Sequence, residues 1–286
     1  MIKDFVVEND RILDEWCKSF VLNNRGKMSN RELEKRFARD GIMYNGEIKP
    51  EYRVENGVKL FRWIRKKNGK ENEMWTNAPI RILYLTKDQN TGGGNSWDVR
   101  SESYRYIDER YKPEEMYLDT NNIFFRNLAY SLYGIVNTKP GCPADYTFKN
   151  EDALALVDNQ IFARINCKKE VGVEKCDNRI LQEAIYDENN YHFLKQQVLN
   201  LDADLFICCG YSKSIENTGN HMLNFLNTIG YKFKAEIEDW IYYDEEHNKA
   251  AINSYHPSYP RFNYDGMMAA YSAFLQKHRV FNISHR

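Results

Sequence analysis

The run Arg81-Ile82-Leu83-Tyr84-Leu85-Thr86 is short and apolar, and it gives way abruptly to Lys87-Asp88-Gln89-Asn90 and the glycine-rich Thr91-Gly92-Gly93-Gly94-Asn95. An apolar run of this length with no polar alternation fits a strand buried on both faces. Three similar runs follow: Ile161-Phe162-Ala163-Arg164-Ile165-Asn166, Asp204-Leu205-Phe206-Ile207-Cys208-Cys209 and Ala250-Ala251-Ile252-Asn253-Ser254-Tyr255. Helical patterns lie between them, near 121–133, 178–199 and 213–229, with a last one near 264–278. This alternation predicts a three-layer α/β/α sandwich around a central, mainly parallel four-stranded sheet with right-handed crossovers. Trp240-Ile241-Tyr242-Tyr243 reads as an added antiparallel strand that turns through 244–248 into the last parallel one.

Upstream, Ile12, Leu13, Trp16 and Phe20 recur at helical spacing. Ser29-Asn30-Arg31-Glu32 has the pattern of a capping box that opens a second helix, with Gly41 as its stop. The polar stretch from Met43 to Asn77, broken by Pro50, Gly57 and Gly69, reads as a loop-rich connection or a small hairpin. The chain is thus expected to divide into an amino-terminal helical extension with its connection, 1–76, and an α/β domain, 77–286.

Charge and composition narrow the function classes. The 286 residues carry 40 Lys and Arg against 41 Asp and Glu, so no global field draws the chain to phosphate, and any nucleic-acid site must be a local basic groove. Phe61-Arg62-Trp63-Ile64-Arg65-Lys66-Lys67 interleaves bases and aromatics as such a contact would, although a half-buried edge strand is the preferred reading. No stretch reaches the ~18 apolar residues of a membrane span, and the start lacks a secretory segment, so no membrane and a cytoplasmic location are expected. The six cysteines form no CxxC pair and read as reduced structural thiols; neither a metal nor a cofactor is expected, and the chain is taken to be a monomer.

In an open parallel sheet, ligands sit beyond the carboxyl ends of the strands. The residues there are Asp88 and Asn90 after the first run, Asn166, Lys168 and Lys169 at the second, Ser212 after the third, and His256, Ser258 and Tyr259 after the fourth. An acid, amides, lysines, hydroxyls and a histidine facing one crevice make a candidate active site.

The same residues carry a family resemblance. His256-Pro257-Ser258 after a strand resembles the late His-Pro-Ser motif of the uracil-DNA glycosylase superfamily. Leu83 to Asn90 is similar to its first, water-activating motif, and Ile165-Asn166-Cys167-Lys168-Lys169 to the strand-end Asn and Lys of its iron-sulfur branch. The likeness spans roughly Ile80 to Ser258. Thr86 and Gln89 stand where the first motif has Gly and Pro, Asn90 where uracil-specific members have Tyr, and the cluster cysteines are incomplete.

The resemblance implies a DNA partner with an extruded base whose N-glycosidic bond is hydrolysed. It gives Asp88 the water, His256 the departing base and Asn166 the reading of the base edge, with Asn90 beside it. Phe124 or Phe125 would stack on the base. Lys168, Lys169, Ser212, Ser258, Tyr259 and Arg261 would contact DNA. Two other readings stand beside this one. Ser212, Asp239 or Asp244, and His256 follow the order of an α/β-hydrolase triad, although Ser214 replaces the second glycine of the elbow. A glycosylase-like fold that binds nucleic acid without cleaving it is the third.

Overall fold

Nine strands and ten α-helices are formed among the described residues of the computed structural model, which are all except 1, 2, 56, 57, 93, 107–114, 146, 148, 149, 173–175, 213–218, 261, 285 and 286. The strands are β1 (Gly41–Ile42), β2 (Ile48–Glu55), β3 (Val58–Arg65), β4 (Ile82–Thr86), β5 (Ala163–Asn166), β6 (Leu205–Cys208), β7 (Lys234–Ile237), β8 (Ile241–Asp244) and β9 (Lys249–Asn253). The helices are α1 (Phe5–Asn23), α2 (Asn30–Lys35), α3 (Glu71–Thr76), α4 (Ile123–Asn137), α5 (Asn150–Asn159), α6 (Asn178–Tyr186), α7 (Glu188–Leu201), α8 (His221–Thr228), α9 (Tyr264–Lys277) and α10 (Arg279–Ser284).

The four apolar runs are the parallel centre of the sheet, in the order β5-β4-β6-β9. Their carboxyl ends lie in register: Thr86 beside Asn166, and Cys208 beside both Leu85 and Asn253. Alternation sends Leu83, Leu85, Ile165 and Phe206 into one core with α1, α6, α7 and α8, and Ile82, Tyr84, Ile207 and Ile252 into another with α4, α5 and α9. Cys208 and Cys209 divide between the two cores for the same reason.

The sheet has seven strands rather than four. β8 runs antiparallel to β9 as the sequence suggests, and β1 and β7 form the edges. Neither edge is visible in the apolar pattern. β1 is two residues long, and β7 reads Lys-Ala-Glu-Ile, with no fully buried position, because an edge strand needs little apolar surface.

The amino-terminal residues join this body. Phe5, Val6, Leu13 and Trp16 of α1 pack in the core that holds Leu83 and Ile165, and β1 is hydrogen-bonded to β5. α2 opens on the capping box of Ser29 and Glu32 but ends at Lys35. Gly41 is not its stop: it sits in β1 at φ +132°, where a Cβ would meet the Asn9 side chain at 2.5 Å. The stretch expected to be one helix over 178–199 is two, because Asp187 closes α6 and its carboxylate caps α7 by accepting from the Asn190 N–H. No described helix is long and apolar enough to cross a membrane.

Candidate active site

A cleft of about 960 Å³ opens at the carboxyl edge of the parallel strands. Asp88 and Asn90 enter it from the loop after β4, Ser212 from the segment after β6, and His256, Ser258 and Tyr259 from the loop after β9. Phe124 and Phe125 complete it from the first turn of α4. That turn is fixed by the Asn122 side chain, which accepts from the Phe124 and Phe125 N–H groups.

The His-Pro-Ser loop is held from behind. Asn127 of α4, only 1% exposed, donates to the Pro257 carbonyl at 2.6 Å and accepts from the Tyr264 hydroxyl at 2.6 Å. The Ser258 N–H points at His256 Nδ1 at 3.3 Å, which leaves the proton of a neutral imidazole on Nε2. The imidazole lies 5.5 Å from the Phe124 ring, centroid to centroid. Beyond it Tyr255 stacks on Tyr259 at 4.7 Å, with Tyr211 edge-on to Tyr255 at 5.1 Å.

On the β4 side, burial holds the Asp88 carboxyl above its usual range, opposed by Lys168 and then Lys87. Lys168 Nζ lies 3.5 Å from Asp88 Oδ2 and donates to the Glu170 carbonyl at 2.6 Å. Its ammonium therefore serves the carboxylate rather than the open groove.

Two expected site residues are placed elsewhere, and a third lies outside the described residues. Lys169 is a correction: it is 2% exposed and its Nζ bonds both oxygens of Asp40, at 2.5 and 2.6 Å, so it sits in the core and not in a DNA groove. Asn166 is fully buried and does not line the cleft; its Oδ1 accepts from the Thr86 hydroxyl at 2.7 Å, while its Nδ2 has no hydrogen-bond partner among the described residues. It shares a face of β5 with Arg164, which does line the cleft. Arg261 lies outside the described residues.

Arg164 and Glu102 are floor residues that the sequence reading missed. They are paired through Arg164 Nη1 and Glu102 Oε2, the guanidinium lies 4.4 Å from the Phe124 ring centre, and Trp97 Nε1 donates to Glu102 Oε1 at 2.8 Å. A signal for Arg164 was available, since a charge inside an apolar strand run is seldom buried without a purpose. Asn178, at the start of α6, is a third addition: its Oδ1 accepts from Lys87 Nζ at 3.2 Å, and its buried Nδ2 has no partner among the described residues.

Cys176 is the cysteine on the cleft wall, and it and the other buried cysteines are poor nucleophiles. Burial pushes the Cys176 thiol up to about 11, and those of Cys167, Cys208 and Cys209 higher still. The hydrolase triad loses Asp244, whose carboxylate accepts from the Lys232 N–H at 2.7 Å and engages His247 at 2.8 Å. It pairs with Lys249 at the first residue of β9, whereas His256 lies past the strand's last, on the order of 20 Å away along an extended chain. Asp239, in the turn before β8, is not on the cleft wall.

No family model, no curated protein and no solved structure matches the chain.

Proposed function

We propose that the cleft hydrolyses the N-glycosidic bond of a nucleotide extruded from DNA. The observation that carries this reading is the meeting of Asp88 and His256 in one cleft, from opposite flanks of β6, with an aromatic ring against the imidazole. A volume of about 960 Å³ is in the range of small-ligand sites and admits a nucleoside.

Breaking the bond leaves positive charge on the sugar and negative charge on the base. Asp88, ionised, orients water and stabilises the sugar; the His256 Nε2–H donates to the departing base. Phe124 offers the base a ring to stack on. The floor supplies a polar edge, with donors on Arg164 and acceptors on Glu102. Ser212, Ser258 and Tyr259 lie at the cleft wall where flanking phosphates would pass.

The deciding experiment is incubation with oligonucleotides that contain uracil, hypoxanthine, xanthine or modified cytosines, scored for free base and for alkali-sensitive strand scission. Release of at least one of these bases is the expected result. Binding without release from any of them leaves a nucleic-acid-binding module instead, and turnover of simple esters without an effect on DNA restores the hydrolase.

A pH measurement tests the role of Asp88. The Lys168 cation favours the charged carboxylate, so Lys168→Gln removes a lowering influence and pushes the Asp88 pKa further up. The reaction uses the ionised form, and activity is lost as pH falls through that pKa. The acid limb of kcat/KM is therefore expected at higher pH in the variant; an unmoved limb shows that Asp88 is not the group that titrates.

A further inference from the structure

β2 and β3 pair only with each other among the described residues, from Ile48 opposite Arg65 to Glu55 opposite Val58. Eight residues per strand give a ribbon about 25 Å long. A two-stranded ribbon without a covering layer is marginal in water. The half-buried edge strand expected for this sequence would lie against a larger sheet, and this ribbon has none.

Its root is firmly held. The Gly46 N–H donates to the Lys66 carbonyl at 2.8 Å and the Lys66 N–H returns to the Glu47 carbonyl at 2.9 Å. A Cβ on Gly46 would stand 2.4 Å from that Lys66 oxygen, so only glycine allows the approach. Arg65 is buried in an ion pair with Asp158 of α5, and the Ser103 hydroxyl donates to the Trp63 carbonyl at 2.8 Å. Ile64 bridges to Glu102, a floor residue of the cleft, so the ribbon springs from the cleft wall.

One face of the ribbon is aromatic. Tyr52 stands opposite Phe61 and Pro50 opposite Trp63, and alternation puts all four on one side. The rings of Tyr52 and Phe61 lie 5.0 Å apart and those of Phe61 and Trp63 5.4 Å. Tyr52 is 53% exposed. Residues 48–67 also hold seven Lys and Arg against two Glu, and with Glu47, Asp158 and Asp10, which pair with Lys49, Arg65 and Lys67, the ribbon and its ion-pair partners keep a net +2 in a chain whose net charge is −1. Stackable rings beside a local excess of positive charge are the two elements of a single-strand nucleic-acid surface.

We propose that the β2–β3 ribbon is a second DNA contact, on which unpaired bases beside the extruded nucleotide stack while its basic residues neutralise their phosphates. The choice of DNA as partner rests on the reading of the cleft. The test is fluorescence anisotropy of a labelled single-stranded oligodeoxynucleotide across a salt series, with wild type, Tyr52→Ala, Tyr52→Phe, Lys66→Gln and Asp88→Asn. Tyr52→Ala is expected to bind roughly tenfold more weakly and Tyr52→Phe like wild type, since the ring is what stacks. Lys66→Gln should lower the magnitude of the salt slope by about 1, and Asp88→Asn should leave affinity unchanged.

Unchanged affinity in Tyr52→Ala together with an unchanged slope in Lys66→Gln overturns the ribbon and leaves the cleft reading intact wherever base is released. Ribbon variants that weaken binding to a protein that releases no base support the ribbon and remove the cleft reading. Wild type that does not bind the oligonucleotide, or ribbon variants that lose only anionic-vesicle binding, also overturns the ribbon. Thermal melting of Tyr52→Ala at the wild-type midpoint separates lost contact from lost fold.

Discussion

Asp40→Ala is expected to remove about 3–5 kcal/mol of folding stability, the usual cost of leaving a buried charge without its partner. Asp40 is fully buried, and its carboxylate answers three donors: both oxygens accept from Lys169 Nζ, Oδ1 also from Gln197 Nε2 at 2.8 Å, and Oδ2 from the Asn166 N–H at 2.8 Å. Alanine strands an ammonium and a strand-end N–H at once, and leaves the Gln197 amide with its Asn9 acceptor alone. Lys169→Met in the same background removes the stranded charge, and should recover part of the loss. Urea unfolding monitored by tryptophan fluorescence reads both variants. A single Asp40→Ala variant within about 1 kcal/mol of wild type, a shift typical of ordinary substitutions, means that the cluster is not what holds this end of the sheet.

That cluster also marks how far the sequence could be read. The strands β4, β5, β6 and β9 announce themselves because both faces are covered, which forces continuous apolar runs. β8 is visible through its turn into β9, whereas β1 and β7 lie at the edges and carry no such pattern. The loops after the strands follow from the strands, so the sequence alone places Asp88, Ser212 and His256 at one edge. Side-chain direction beyond a strand end could not. Lys168 and Lys169 are adjacent and identical in type, yet one turns to Asp88 and the other into the core. The difference is made by Asp40, 129 residues away from Lys169 in sequence, and no local pattern carries that information. Glu102 was equally out of reach, since its pairing with Arg164, whose guanidinium lies against Phe124, joins residues 62 apart in sequence.

The core and the site are joined at Asn166. The strand end it occupies is fixed on one side by Asp40 through its N–H and on the other by Thr86 through its side chain, at the register position where β4 releases the chain toward Asp88. Placement of Asp88 is thus a product of packing on the α1 and α7 side of the sheet. Since misplacement of a reacting group by about 1 Å can cost on the order of a hundredfold in rate, this buried support matters to the proposed chemistry.

The second large effect expected is on the reaction itself. His256→Ala should slow base release by about 10²–10³-fold, because in the proposed reaction the Nε2–H is the donor that meets charge developing on the departing base. Asp88→Asn keeps the shape of the side chain but withdraws the anion, and a loss of about 10²–10⁴-fold is expected for a positioned base. Neither change should weaken DNA binding. His256 keeps its loop through Asn127, which holds the Pro257 carbonyl whatever stands at 256, and in Asp88→Asn the ammonium of Lys168 retains the Glu170 carbonyl as an acceptor. If the two residues act on the same transition state, the double variant loses less than the product of the single losses. Single-turnover release of base from a saturated oligonucleotide, with anisotropy as the check on affinity, reads all three. Full activity in both single variants would place the chemistry on other groups of the cleft, with Arg164 and Glu102 the first to substitute.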